Sequence, residues 1–206
     1  INGNVVDTII TEYNAYGIQD TEEANEWLSR CINSRPTHVA LDSETTGLYP
    51  RDGHMLGISL SYEEDRGVYI DTECFDERTE ALLQTLANQT TIVFHNAKFD
   101  MAFFEYHFNL SFPKFEDTML LHYLIDENPG GHGLKQLAMK YTVYGDYEKP
   151  QYDWMDKYRK DHGMLKNDFT WDLIPFDIMK TYAAMDAVVT LLVYKKFVKI
   201  KQNKRL

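Results

Sequence analysis

A mixed β-sheet flanked by α-helices is the α/β class that this sequence predicts, and three observations lead there. Short β-branched runs separated by turns containing Gly and Asp crowd residues 38–72. Runs with helical apolar spacing then interleave with one further strand-like run up to residue 141. Finally, residues 175–203 read as one long helix. Strands grouped early and helices later suit a sheet covered by helices.

Each element has its own signal. "DTEEANEWLSRCI" opens on Asp20 as a helix N-cap, with Glu23 three residues on and helical apolar spacing behind it. "HVALD", "MLGISLSY" and "GVYIDT" are three strands in a meander. "DERTEALLQTLANQ" is helical, "TIVFHN" is a fourth strand, and "AKFDMAFFEYHF" returns to helix. "EDTMLLHYLID" combines a short strand end or cap with a helix, in which Asp117 caps the turn starting at Thr118. "GLKQLAMKY" is a further amphipathic run. Pro175 suits the first turn of the long final helix. Residues 145–171, rich in Tyr, Asp, Lys and Trp, are the least regular part and are expected to form a mobile loop region near a substrate.

Composition bounds the function. With 206 residues, 44% of them hydrophobic and 14% aromatic, the chain can bury a real core as one domain spanning residues 1–206. Cys31 and Cys74 lie far apart with no C-x-x-C spacing, so neither a disulfide framework nor a zinc site is indicated and an intracellular, cytoplasmic setting is expected. If the source is a phage, that cytoplasm is the host cell's. No run approaches the ~20 apolar residues of a membrane span, and no signal peptide opens the chain. Ile rather than Met at position 1, and a last segment without a helix stop, suggest a domain taken from a longer polypeptide. The formal charge of −11 argues against a large basic nucleic-acid surface. It does not exclude a nucleic-acid enzyme, because acids gathered around metal ions are neutralised in the working state.

The strand "HVALDSET" ends on two carboxylates one residue apart. Strand side chains alternate, so Asp42 and Glu44 share a face and repel, and a divalent cation with a preference for hard oxygen ligands is the natural compensation. A solvated strand end running into a turn at Thr46-Gly47 is the alternative. Asp100 begins a helix after a buried strand, where it could simply favour the helix dipole. Asp186 interrupts an apolar helix, where it could be paired with a lysine, and Tyr182 lies one turn before it on the same face. Four carboxylates on strand and helices, with a tyrosine one turn from the last, make a more specific signal than any one of them.

These segments, "LDSETTGL", "HNAKFD" and "YAAMD", resemble the three motifs of the DEDDy branch of the DnaQ-like 3′–5′ exonucleases. "EDTMLLHYLID", "GHGLKQLAMKY" and "IPFDIMKTYAAMDAVVTL" resemble the proofreading domain of family A DNA polymerases, bacterial or phage. The sister branch would place a histidine where Thr181 stands. The resemblance implies a ribonuclease H-like fold and two divalent ions, Mg²⁺ or Mn²⁺, held by Asp42, Glu44, Asp100 and Asp186. It implies that Asp42 bridges both ions, that Glu44 and Asp186 hold the one carrying the nucleophile, and that Asp100 supports the second. Tyr182, a phenol at neutral pH, would orient the attacking water.

Substrate contacts follow from the same resemblance. Leu48 would wedge against the terminal bases, Thr45 and Asn96 would bond near the terminal nucleotide, and Phe99 fills the family's aromatic position. The implied partners are a single-stranded DNA 3′ end, a nucleoside monophosphate product and a covalently linked polymerase domain. His95 and His132 read as ordinary structural residues. Two rival readings are an RNA 3′–5′ exonuclease of the ribonuclease D type and a catalytically inactive nucleic-acid-binding module of a polymerase.

Overall fold

The computed structural model describes residues 12–204. Strands β2 (His38–Thr45), β3 (Met55–Glu63) and β4 (Arg66–Asp71) pair antiparallel, forming the expected meander. Strand β5 (Thr91–Phe94) adds to β2 in parallel, and the short β6 (Phe115–Asp117) adds to β5 in parallel. A strand that the sequence did not reveal, β1 (Asn14–Ile18), pairs in parallel with β4 and forms one edge of the sheet. Its sequence NAYGI offers one β-branched residue and an internal glycine, too little to signal a strand. The sheet order is β1-β4-β3-β2-β5-β6.

Helix α1 (Thr21–Ser34) starts as expected, with the Asp20 carboxylate accepting from the Glu23 N–H at 2.9 Å. Helix α2 (Glu77–Gln89) is held by a capping box between Asp76 and Thr79. These two helices and α3 (Ala97–Phe108) bury one face of the sheet through Leu28, Leu86, Phe103 and Phe104, packed with Leu41, Leu60 and Ile70. Helices α4 (Thr118–Ile125), α5 (Leu134–Tyr141) and the long α7 (Phe176–Lys204) cover the other face. Ala40 packs with Ala187 and Leu191 there, while its neighbours Val39 and Leu41 point into the first core. This alternation sends Asp42 and Glu44 toward α7. Gly67 lets α7 approach: a Cβ there would overlap the backbone carbonyl of Ala184.

Residues 145–171 are not the loop region that their composition suggested. Helix α6 (Lys149–Asp161) fills the segment's first half, and two short 3₁₀ turns, residues 166–168 and 171–173, follow it. Pro150 sits in the first turn of α6, where its missing N–H costs nothing. Lys149–Asp153 and Lys157–Asp161 pairs, at 2.6 and 2.5 Å, sit at helical i, i+4 spacing. Trp154 stacks on Tyr158, and Trp154 and Met155 pack with Phe169, Trp171 and Ile174. Gln151, Trp154, Met155 and Tyr158 form the inward face of α6 at i, i+3, i+4, i+7 spacing, but only Gln151 is buried and the face is set among tyrosines and charged residues that mask it in sequence.

Candidate active site

Three elements deliver the acids. Asp42 and Glu44 stand on the α7-facing side of β2, and Asp186 is on α7 opposite them. One carboxylate oxygen from each lies within 4.8 Å of the others. Asp100 approaches from α3 on the other side of the strand, where its Oδ1 accepts from the Ser43 N–H at 3.0 Å and the Ser43 hydroxyl at 2.6 Å. The register explains this division: Ser43 points away from Asp42 and Glu44 and so meets the helix behind them. All four predicted acids therefore gather around one strand end, with Asp100 anchored to the backbone between the other two.

The electrostatics are those of carboxyls crowded together away from water. Burial, then the charge of Glu148, pushes the Asp42 carboxyl up to about 7. Glu44 is driven well above its ordinary range by burial and by Asp42 and Asp100. Asp100 is raised by burial and by Asp42, and Asp186 by burial and by Asp42 and Glu148. Among the described residues, no lysine or arginine ion pair involves any of the four. Beside Asp42 on β3, the wholly buried Ser59 hydroxyl also lacks a hydrogen-bond partner. Hard oxygen donors, mutual repulsion and an orphaned hydroxyl on the same face fit a divalent cation.

The other predicted residues are distributed around this cluster. Leu48 is 77% exposed on the turn after β2. The Thr45 hydroxyl donates to the Gly47 carbonyl at 2.8 Å, beside a register shift between Glu44 and Thr45. Asn96 caps α3 in the left-handed region, φ 68°, with its exposed side chain making no cap hydrogen bond. Phe99 is half-buried and packs on Phe103, ring centroids 5.0 Å apart. Tyr182 lines a cavity of about 570 Å³ with Tyr13, Tyr144, Asp146, Lys149, Pro150 and Thr181. Burial raises its phenol above the ordinary value, so it stays protonated at neutral pH.

Sequence reasoning missed the contribution of the turn into α6. Tyr147, wholly buried, donates its hydroxyl to Asp186 Oδ1. Glu148 beside it lies close enough to raise Asp42, Glu44 and Asp186, and its own carboxyl is raised by burial. Tyr152, one turn into α6, is raised to about 12 by burial and by Glu148 and Asp186. Pro150 and the helical spacing of Gln151, Trp154, Met155 and Tyr158 were available signals, and they marked the helix rather than the site. Asp117 does more than cap α4: it accepts from Met119 and Leu120 and also from the Asn96 and Ala97 N–H groups at 3.1 and 2.9 Å. It thereby fixes the start of the helix that carries Asp100.

A family model described as "3′-5′ exonuclease" matches residues 16–202. This chain belongs to that exonuclease family. The exonuclease is 48% identical over 198 residues to the DNA polymerase of Escherichia phage T5, a match covering 92% of this chain and 23% of that protein. DNA polymerase I of Rhizobium leguminosarum is 26% identical over 214 residues, covering 89% of this chain and 20% of the relative. The chain thus spans about a quarter or less of the curated relatives it matches. Among solved structures, Trypanosoma brucei RNase D in complex with RNA U12 superposes with TM-score 0.69 at 14% identity, covering 91% of this chain and 63% of that one. Brucella melitensis NrnC with bound Mg²⁺ superposes with TM-score 0.62 at 16% identity, covering 94% and 84%. These likenesses establish the ribonuclease H-like fold of the exonuclease. Among its described residues, no helix is long and apolar enough to cross a membrane.

Proposed function

We propose that this chain is the single-domain proofreading exonuclease of a longer DNA polymerase, removing nucleoside monophosphates from the single-stranded 3′ end of DNA inside the cell. The observation that carries this reading is the convergence of Asp42, Glu44 and Asp186 within 4.8 Å, with Asp100 behind them, in a chain 48% identical to a phage DNA polymerase. Asp42, Glu44 and Asp186 would hold Mg²⁺ or Mn²⁺, and Asp100 would complete a second ion's set. Two such ions, when bound, lower the pKa of water and neutralise charge developing at phosphorus and on the leaving oxygen.

The chain's own residues then do the positioning. Leu48, exposed on the turn after β2, would press against a terminal base, and the Asn96 amide, which makes no cap hydrogen bond, would offer donors and an acceptor to the last nucleotide. Thr45, next to Glu44, holds the turn that presents Leu48. Phe99 packs the helix carrying Asp100. The Tyr182 phenol, protonated and bordering an open cavity, orients the attacking water rather than taking its proton.

An RNA exonuclease reading draws on the fold shared with T. brucei RNase D, but at 14% identity that supports fold alone. An inactive module would not need four acids kept together at an electrostatic cost. The test is incubation with 3′- and 5′-labelled single-stranded DNA and RNA, with Mg²⁺, Mn²⁺ or chelator. Metal-dependent release of mononucleotides from DNA 3′ ends is expected; release from RNA alone, or from neither polymer, overturns the reading.

A further inference from the structure

Among the described residues one tyrosine hydroxyl hydrogen-bonds to the acid cluster, and it is not the one that the helical spacing singles out. Tyr182 is one turn before Asp186 and lines the cavity with Tyr13 and Tyr144, and among the described residues it makes no hydrogen bond to the acids. Tyr147 comes from a separate segment, 39 residues before Asp186, and donates to Asp186 Oδ1. Tyr147 is 1% exposed and belongs to one core with Leu137, Met185 and Val189, so packing fixes where its hydroxyl lies.

We propose that Tyr147 is a positioning residue of the metal centre, fixing the Asp186 carboxylate by binding Oδ1 so that the free lone pairs face the cation. The inference rests on the reading that the acids hold a divalent ion. A carboxylate has two oxygens and about four acceptor positions, so one phenol donor restricts its rotation without using up its capacity as a ligand. Outer-shell hydrogen bonds of this kind orient metal ligands, and their loss typically costs about 10- to 100-fold in metal affinity or activity. A buried tyrosine with only a packing role would leave metal affinity untouched when its oxygen is removed.

The experiment is calorimetric titration of the chain with Mn²⁺, paired with steady-state cleavage of single-stranded DNA at several Mn²⁺ concentrations. Tyr147→Phe should weaken Mn²⁺ binding about 10- to 100-fold, lose turnover at low Mn²⁺, regain most of it at high Mn²⁺ and keep its KM for DNA. Replacing Tyr147 by 4-aminophenylalanine, which restores a donor at the same place, should restore much of the affinity. Tyr182→Phe should bind Mn²⁺ as the unmodified chain does. Wild-type Mn²⁺ affinity in Tyr147→Phe, while Asp186→Asn loses it, overturns the proposal and leaves the metal reading standing. Wild-type affinity in Asp186→Asn and Asp42→Asn instead defeats the metal reading itself. If Tyr147→Phe fails to fold, 3-fluorotyrosine at 147 in the otherwise native chain decides the matter by ¹⁹F NMR. Its resonance should shift with added Mg²⁺ and stay still in Asp186→Asn; a resonance unmoved in the native background overturns the proposal.

Discussion

Neutralising Asp42 should make the metal-free protein more stable at alkaline pH, although a buried acid is usually replaced at a loss. Burial and Glu148 raise the Asp42 carboxyl from 3.8 to about 7. A raised acid stabilises the folded state while it is protonated, below the unfolded-state value, and loses that contribution as pH climbs through the folded value. The wild-type protein therefore gives up stability between about pH 4 and 7 and stays at the lower level above it. At about 1.4 kcal/mol per pH unit, three units set a ceiling of about 4 kcal/mol. Asp42 is half-buried, and solvent screening reduces this to roughly 1–3 kcal/mol. At about 2–4 °C per kcal/mol for a chain of this size, apo Asp42→Asn should melt about 3–10 °C above apo wild type at pH 8. The difference should vanish near pH 4. Magnesium at saturation should reverse the ranking, since a ligand at about 1,000 times its Kd stabilises the wild type by about 4.1 kcal/mol and the variant has lost a ligand. Differential scanning calorimetry with chelator and with millimolar Mg²⁺ across this pH range measures all of it. An apo Asp42→Asn melting well below apo wild type at pH 8, with magnesium stabilising both equally, would mean that the acids are structural.

Further outcomes are equally specific. Asp42→Ala and Asp186→Ala should abolish metal-dependent DNA cleavage while circular dichroism stays native, and retained turnover in either would break the ligand assignment. Tyr182→Phe should lower turnover by less than Asp42→Ala, because an orienting hydroxyl is lost and the acids stay; equal losses would make the phenol a ligand or an essential base. Asp117→Ala strands four N–H donors at the starts of α3 and α4 and should cost about 2–4 kcal/mol in urea unfolding, with a loss under 0.5 kcal/mol contradicting its bridging role. Gly67→Ala drives a methyl into the Ala184 carbonyl and should cost about 3 kcal/mol, since the helix carrying Asp186 must shift; a neutral effect would show that α7 does not press on β4.

Much of the site was legible because its acids violate local expectations. Asp42 and Glu44 end a buried strand on a single face, and Asp186 breaks an apolar helix that must pack, so each asks for a partner before any fold is known. The Asp20 and Asp117 caps and the meander were likewise readable from short-range chemistry. What failed was long-range or camouflaged. The Ser43–Asp100 bonds join residues 57 apart and leave no periodic trace. Helix α6 carries its inward face, Gln151, Trp154, Met155 and Tyr158, among tyrosines and charge pairs that mask the spacing, so it read as a loop, and Tyr147 and Glu148 went unseen with it. Strand β1 earns its place by pairing with β4 at the sheet edge, not by its residue types.

The central claim is that β2 and α7 bring three carboxylates together to hold a cation. Crystals soaked in Mn²⁺ and measured at a wavelength where manganese scatters anomalously test it most directly. The account predicts an anomalous peak within direct ligand distance of Asp42, Glu44 and Asp186, and its loss in Asp186→Asn crystals. Ordered Mn²⁺ elsewhere, with these three carboxylates bonded to one another or to protein donors and no peak between them, would contradict it.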